Sequence, residues 1–111
     1  MESFGAPCNA FNQYTIKVLE SIGEIKYWYY GNESFSRVTL KRDIELEQPL
    51  FRPNYNYFRQ EYEKFKGNIL ILQAHPNQWK FWDFYNFKKI VRFLKENECS
   101  FIFPNEIDAL P

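Results

Sequence analysis

Ile69-Leu70-Ile71-Leu72 is an unbroken apolar run set directly between two stretches whose apolar residues recur every three or four positions. A short run with no polar alternation reads as a strand covered on both faces, as in a parallel sheet, and parallel strands need a crossover between them. The flanking stretches supply crossovers. Tyr55, Phe58, Tyr62 and Phe65 mark an amphipathic helix over Asn54 to Lys66 that stops at Gly67-Asn68. After the turn His75-Pro76-Asn77, the residues Phe84, Phe87, Ile90, Val91 and Leu94 share one face of a further helix, with Asp83 able to cap its start.

The same alternation extends to both sides. Thr15, Val18, Leu19 and Ile22 fall at helical spacing after Asn12, a suitable N-cap, and before Gly23, a suitable stop. Glu24 to Tyr30 reads as a strand ending at Gly31-Asn32, and Phe101-Ile102-Phe103 before Pro104 as a last short strand. Met1 to Asn9 breaks at Gly5-Ala6-Pro7 and reads as a strand end or loop. Glu33 to Pro53, with Pro49 and Pro53, reads as a long, partly irregular connection holding one candidate strand at Arg37 to Leu40. Helix and strand in turn predict an α/β architecture with parallel pairing, in one domain over residues 1–111.

Charge narrows the partners. Lysine and arginine number 14, as do aspartate and glutamate, so no broad basic surface is available for a run of phosphates and nucleic acid is not expected. No basic start followed by an apolar run is read as an export signal, and no segment is long and apolar enough for a membrane span, so a soluble chain is expected. The lysines of the last helix, Lys88, Lys89 and Lys95 with Arg92, read as a solvated face. Aromatic residues make up 21%, more than a small core can hide, so some are expected to line a surface or groove. Cys8 and Cys99 follow and precede strands on opposite rims, on the order of 15 Å apart. A disulfide needs Cα atoms within about 7 Å, so both thiols are expected to stay reduced.

In sheets of this kind functional groups collect at the carboxyl ends of the strands. His75 follows one such end, Trp28 to Asn32 another, and Gly5-Ala6-Pro7 a third. The plain account of His75 is a turn histidine bonded to a nearby carbonyl. For Trp79 and Trp82 it is packing rather than a platform for sugar rings, and for Asn32-Glu33-Ser34 a turn rather than a glycosylation site.

Ser3-Phe4-Gly5-Ala6-Pro7-Cys8-Asn9 with its Asn-led helix, Trp28 in a strand, Leu70-Ile71-Leu72-Gln73-Ala74-His75-Pro76, and Phe101-Ile102-Phe103-Pro104-Asn105-Glu106 resemble, in that order, successive motifs of the polysaccharide deacetylase (NodB-homology) family. The resemblance implies the C-terminal part of a distorted (β/α) barrel, about three β/α units with parallel strands. It implies a carbohydrate substrate from which N- or O-acetyl groups are hydrolysed. His75 takes the place of the late-motif histidine that acts as general acid, a role suited to a group titrating near neutrality. Pro7, Trp28 and Trp79 take substrate-contacting places.

The family's metal ligands are a different matter. They comprise an Asp-Asp pair and two histidines one helical turn apart, whereas this sequence has one histidine and no Asp-Asp dipeptide. No cofactor is therefore expected in this chain, a divalent metal being expected only in a complete family member. The arginine usual before the prolines of the middle motif corresponds to Gly5 or Ala6, and no aspartate accompanies Trp28. The expectation is a truncated or separated segment, inactive alone, completed by an upstream half or self-associating through open sheet edges. The other class of reading is a non-catalytic carbohydrate-binding or protein-interaction module using Trp28, Trp79 and Trp82.

Overall fold

The computed structural model describes residues 1–48 and 52–110. Pro49, counted above among the breakers of the 33–53 connection, lies outside them. The fold is mixed α/β with parallel strands in two small sheets and, among the described residues, three α-helices and no closed barrel. The chain, read above as one domain, is arranged as two compact units: Met1–Lys41 with Ile102–Pro111, and Arg42–Phe101.

In the first unit, β1 (Ser3–Gly5), β2 (Tyr27–Tyr29) and β3 (Val38–Leu40) form a parallel sheet in that order, with Phe4 opposite Trp28 and Trp28 opposite Thr39. Helix α1 (Gln13–Ser21) joins β1 to β2. Its start follows from local chemistry: Asn12 Oδ1 accepts the Tyr14 and Thr15 N–H groups, and Thr15 Oγ1 accepts the Asn12 N–H. Arg37 closes the other end, donating to the carbonyls of Leu19, Glu20 and Ile25. The core is Leu19, Ile25, Trp28 and Phe35, each worth about 2 kcal/mol of burial.

In the second unit, β4 (Ile44–Glu45) and β5 (Leu72–Gln73) pair in parallel, Ile44 opposite Leu72 and Glu45 opposite Gln73. Helix α2 (Tyr55–Lys64) connects them and α3 (Phe81–Glu96) follows. Asn54 caps α2 through the Tyr57 N–H. Asp83 serves α3, as its sequence position suggests: buried, it accepts the Lys80 N–H at 2.8 Å and an Arg52 N–H at 2.7 Å. Ile44, Leu46, Phe58, Ile90 and Leu94 form the core, with Tyr62 and Phe93 stacked edge to face at its margin.

Three expectations are corrected. The strand at Phe101 to Phe103 does not form: all three side chains are exposed, the Phe103 N–H is taken by the Glu106 carboxylate, and Pro104 has no N–H to offer a ladder. A 3-10 segment, Pro104–Ala109, follows instead. Of the run Ile69 to Leu72 only Leu72 lies in β5, with Gln73 after it, and both are half-buried rather than covered on both faces, because the sheet has just two strands. Within the connection read as irregular, β3 matches the candidate strand but β4 was not anticipated. Among the described residues no helix is long and apolar enough to cross a membrane.

Candidate functional site

Parallel pairing in register brings the carboxyl ends of β4 and β5 side by side, and the ladder continues one step through the Leu46 N–H to the Gln73 carbonyl at 3.1 Å. Ile44 and Leu46 point into the core, so alternation sends the carboxylates between and after them the other way. Beyond the strand ends the same offset of 28 positions that pairs Ile44 with Leu72 sets Glu47 against His75.

Glu47 is a buried acid, its side chain 2% exposed. Its Oε1 accepts the His75 backbone N–H at 2.8 Å and the Trp79 indole N–H at 2.6 Å, and its Oε2 lies 2.6 Å from His75 Nδ1. Burial pushes the Glu47 carboxyl up, but the His75 ring and backbone donors, the Trp79 donor and the charge of the imidazole together outweigh it, leaving the group below its ordinary value of 4.5. At neutral pH it is therefore a carboxylate. An ionised carboxylate only accepts, so the proton of a neutral His75 ring sits on Nδ1 and Nε2 is left as the acceptor nitrogen.

A second chain of bonds reaches the other side of the ring. Arg42 donates to Gln73 Oε1 at 2.6 Å, which turns the Gln73 amide nitrogen toward His75 Nε2, 3.5 Å away. The same guanidinium donates to Glu45 Oε2 at 3.2 Å. The short 3-10 turn Pro76–Gln78 then folds the chain back, so that Trp79 reaches Glu47 while its ring packs on Phe84 and Phe87. The His75 side chain is 45% exposed, so an imidazole of fixed tautomer stands at the surface on a buried anionic support.

Glu45, Glu47 and His75 also offer atoms within 4.8 Å of one another, a spacing that could suit a cation. The donors already present argue against it. Both Glu47 oxygens hold N–H groups, Glu45 Oε1 accepts the Glu47 N–H and Oε2 an Arg42 N–H, so a metal would have to displace bonds the fold itself supplies. Nor does this trio match the metal ligands that the deacetylase resemblance implies.

Of the residues singled out in the sequence, His75 and Trp79 are brought together, and the group that joins them was missed. Glu47 could have been found: Ile44-Glu45-Leu46-Glu47 alternates as a strand should, which would have put an acid at a second strand end. His75 binds a buried carboxylate, a partner its plain reading did not include. Trp28, expected among substrate contacts, is instead wholly buried in the first unit, its indole edge to face with Phe11 and Phe35. Pro7, also in the first unit, opens the exposed 3-10 turn Pro7–Asn9. Trp82 is 70% exposed on α3. Cys8 and Cys99 are both free thiols.

Comparison with protein-family models, with curated proteins and with solved structures finds no match for the chain.

Proposed function

We propose that this chain is a carbohydrate-active segment of the polysaccharide deacetylase type, in which His75 transfers the proton and Glu47 and Trp79 hold it in place. The observation that supports this reading most is the 2.6 Å approach of His75 Nδ1 to the buried Glu47 carboxylate at the carboxyl ends of two parallel strands. Such an arrangement serves proton transfer: the carboxylate fixes the tautomer and stabilises an imidazolium when Nε2 takes up a proton. In hydrolysis of a sugar acetyl group, that imidazolium would give its Nε2 proton to the departing amine or alkoxide as the acyl bond breaks. The two parallel β-α-β arrangements are read as portions of the family's distorted barrel.

The acid alone does not complete the reaction. An Asp-Asp pair and paired histidines are not in these 111 residues, so acetyl release calls for metal ligands from another polypeptide segment that also covers the sheet edges. The test has two parts. Titration with N-acetylated chitooligosaccharides should shift the His75 ring and Trp79 indole resonances, and mixing with a polypeptide bearing those ligands should release acetate in a manner abolished by His75→Ala. Silent resonances and no acetate would overturn the reading.

The exposure of Trp82 favours a second reading, a non-catalytic carbohydrate-binding module. Binding of neutral N-acetylated chitooligosaccharides that is lost on Trp79→Ala or Trp82→Ala, yet indifferent to His75→Ala, would select it.

A further inference from the structure

Helix α3 turns Ile90 and Leu94 into the core and Asp83 into its buried cap, leaving an outer face of unusual composition. Phe81, Tyr85, Lys88, Arg92 and Lys95 are spaced by four, three, four and three residues, which lines them up on one side of the helix over about 21 Å. All five are exposed, with Phe81 76% and Tyr85 51% open, and Trp82 beside them stacks edge to face on both rings. The first half of the stripe is thus aromatic and the second half cationic. Lys88, Arg92 and Lys95 form no ion pair among the described residues, although four other cations of this unit do.

We infer that this face of α3 binds an acidic polysaccharide, one whose sugar rings lie on the aromatic end and whose carboxylate or sulfate groups meet Lys88, Arg92 and Lys95. Unpaired cations in a row call for a polyanion, and an exposed aromatic patch of this kind marks an interaction surface. Rings set edge to face with one another present faces on which flat groups can stack. A lipid surface fits less well, since the stripe has no aliphatic side chain and Ile90 and Leu94 of the helix are spent on the core. A nucleic acid fits less well because the chain's 14 basic groups are matched by 14 acidic ones. The choice of a glycan among polyanions rests on the carbohydrate reading of the His75 site.

The test is tryptophan fluorescence of the full chain titrated with oligogalacturonate, with neutral chitotetraose, phosphatidylserine vesicles and oligo(dT) as comparisons. Oligogalacturonate should bind, weaken by about tenfold between about 50 and about 300 mM salt, and weaken by about tenfold again in the double variant Lys88→Glu, Arg92→Glu. Trp82→Ala should weaken it too, while His75→Ala should leave it unchanged, which separates this surface from the proposed acid site. Because all these positions except His75 are exposed on a formed helix, each variant's fold is checked by circular dichroism. Absence of binding, binding that ignores the charge reversal, or tighter binding to vesicles or oligo(dT) would overturn the proposal.

Discussion

Glu47 meets His75 twice, taking its backbone N–H on Oε1 at 2.8 Å and facing ring Nδ1 with Oε2 at 2.6 Å. One carboxylate therefore fixes both the path of the chain leaving β5 and the orientation of the ring that the path presents. In Glu47→Gln an amide nitrogen would face Nδ1–H, donor against donor, so the ring must rotate or move its proton to Nε2. The expected result is a change in the His75 ring nitrogen shifts with a loss of about 1–3 kcal/mol in unfolding free energy. Glu47→Ala, which leaves all three N–H groups without this partner, should cost more, about 3–5 kcal/mol. Denaturant melts with the nitrogen spectra decide it: an unshifted His75 ring in Glu47→Gln would refute the tautomer assignment.

The same carboxylate makes the fold acid-sensitive in a stated direction. Its pKa in the folded chain lies below the ordinary 4.5, so the unfolded chain binds the proton more readily. The stabilisation is complete above the unfolded value and is lost as pH falls through the folded one. Glu20, held down by the Ser36 hydroxyl and N–H, and Glu33, held down by Lys41, act in the same sense but are solvent-screened. Stability measured by urea unfolding should thus fall below about pH 4.5, and fall less steeply in Glu47→Gln. An identical acid slope in the variant would show that Glu47 is not the sensitive group.

What could be read from the sequence followed the range of the interaction. Asn12 and Asn54 announce their helices because a cap bonds N–H groups two or three residues away, and Asp83 was legible for the same reason. His75 was legible as a strand-end residue. The alternation Ile44-Glu45-Leu46-Glu47 marks Glu47 as a strand-end acid, but its partnership with His75 was not legible, because it depends on β4 pairing with β5 across 28 positions, and β4 is a two-residue strand inside a proline-bearing connection. Phe101 to Phe103 has the composition of a strand, but the Glu106 carboxylate and Pro104 deny it the donors a ladder needs. Trp28 was correctly placed in a strand, while its side chain went to the core, a choice the local pattern does not encode.

Gly31 follows from that choice. A Cβ built there would lie 2.0 Å from Trp28 Cδ2, 2.4 Å from Cε3 and 2.5 Å from Cγ, so the indole occupies the space any other residue's side chain would need. Trp28 is wholly buried and has no room to yield. Gly31→Ala should destabilise the first unit by about 2–4 kcal/mol and redden its tryptophan emission. Combined with Trp28→Phe, whose smaller ring leaves space, the glycine substitution should cost markedly less than alone. Additive losses in the double variant would mean that the indole is not what excludes the methyl.

Asp83 does two jobs at the start of α3, and they can be separated by experiment. Its Oδ2 accepts the Lys80 N–H, an otherwise orphaned donor of the first turn, and also meets the Arg52 guanidinium at 2.7 Å. The Asp83 side chain is 5% exposed and that of Arg52 53%, so the acid depends on both donors for its burial while the arginine can turn to water. Asp83→Ala should cost about 2 kcal/mol and speed hydrogen exchange at the Lys80 amide. Arg52→Met, which keeps the cap and exposes one side of the carboxylate, should cost about 1 kcal/mol and leave that amide protected. If the arginine variant frays the first turn as much as the aspartate variant does, the guanidinium rather than the cap holds the helix start, and the aromatic stripe that begins at Phe81 depends on it as well.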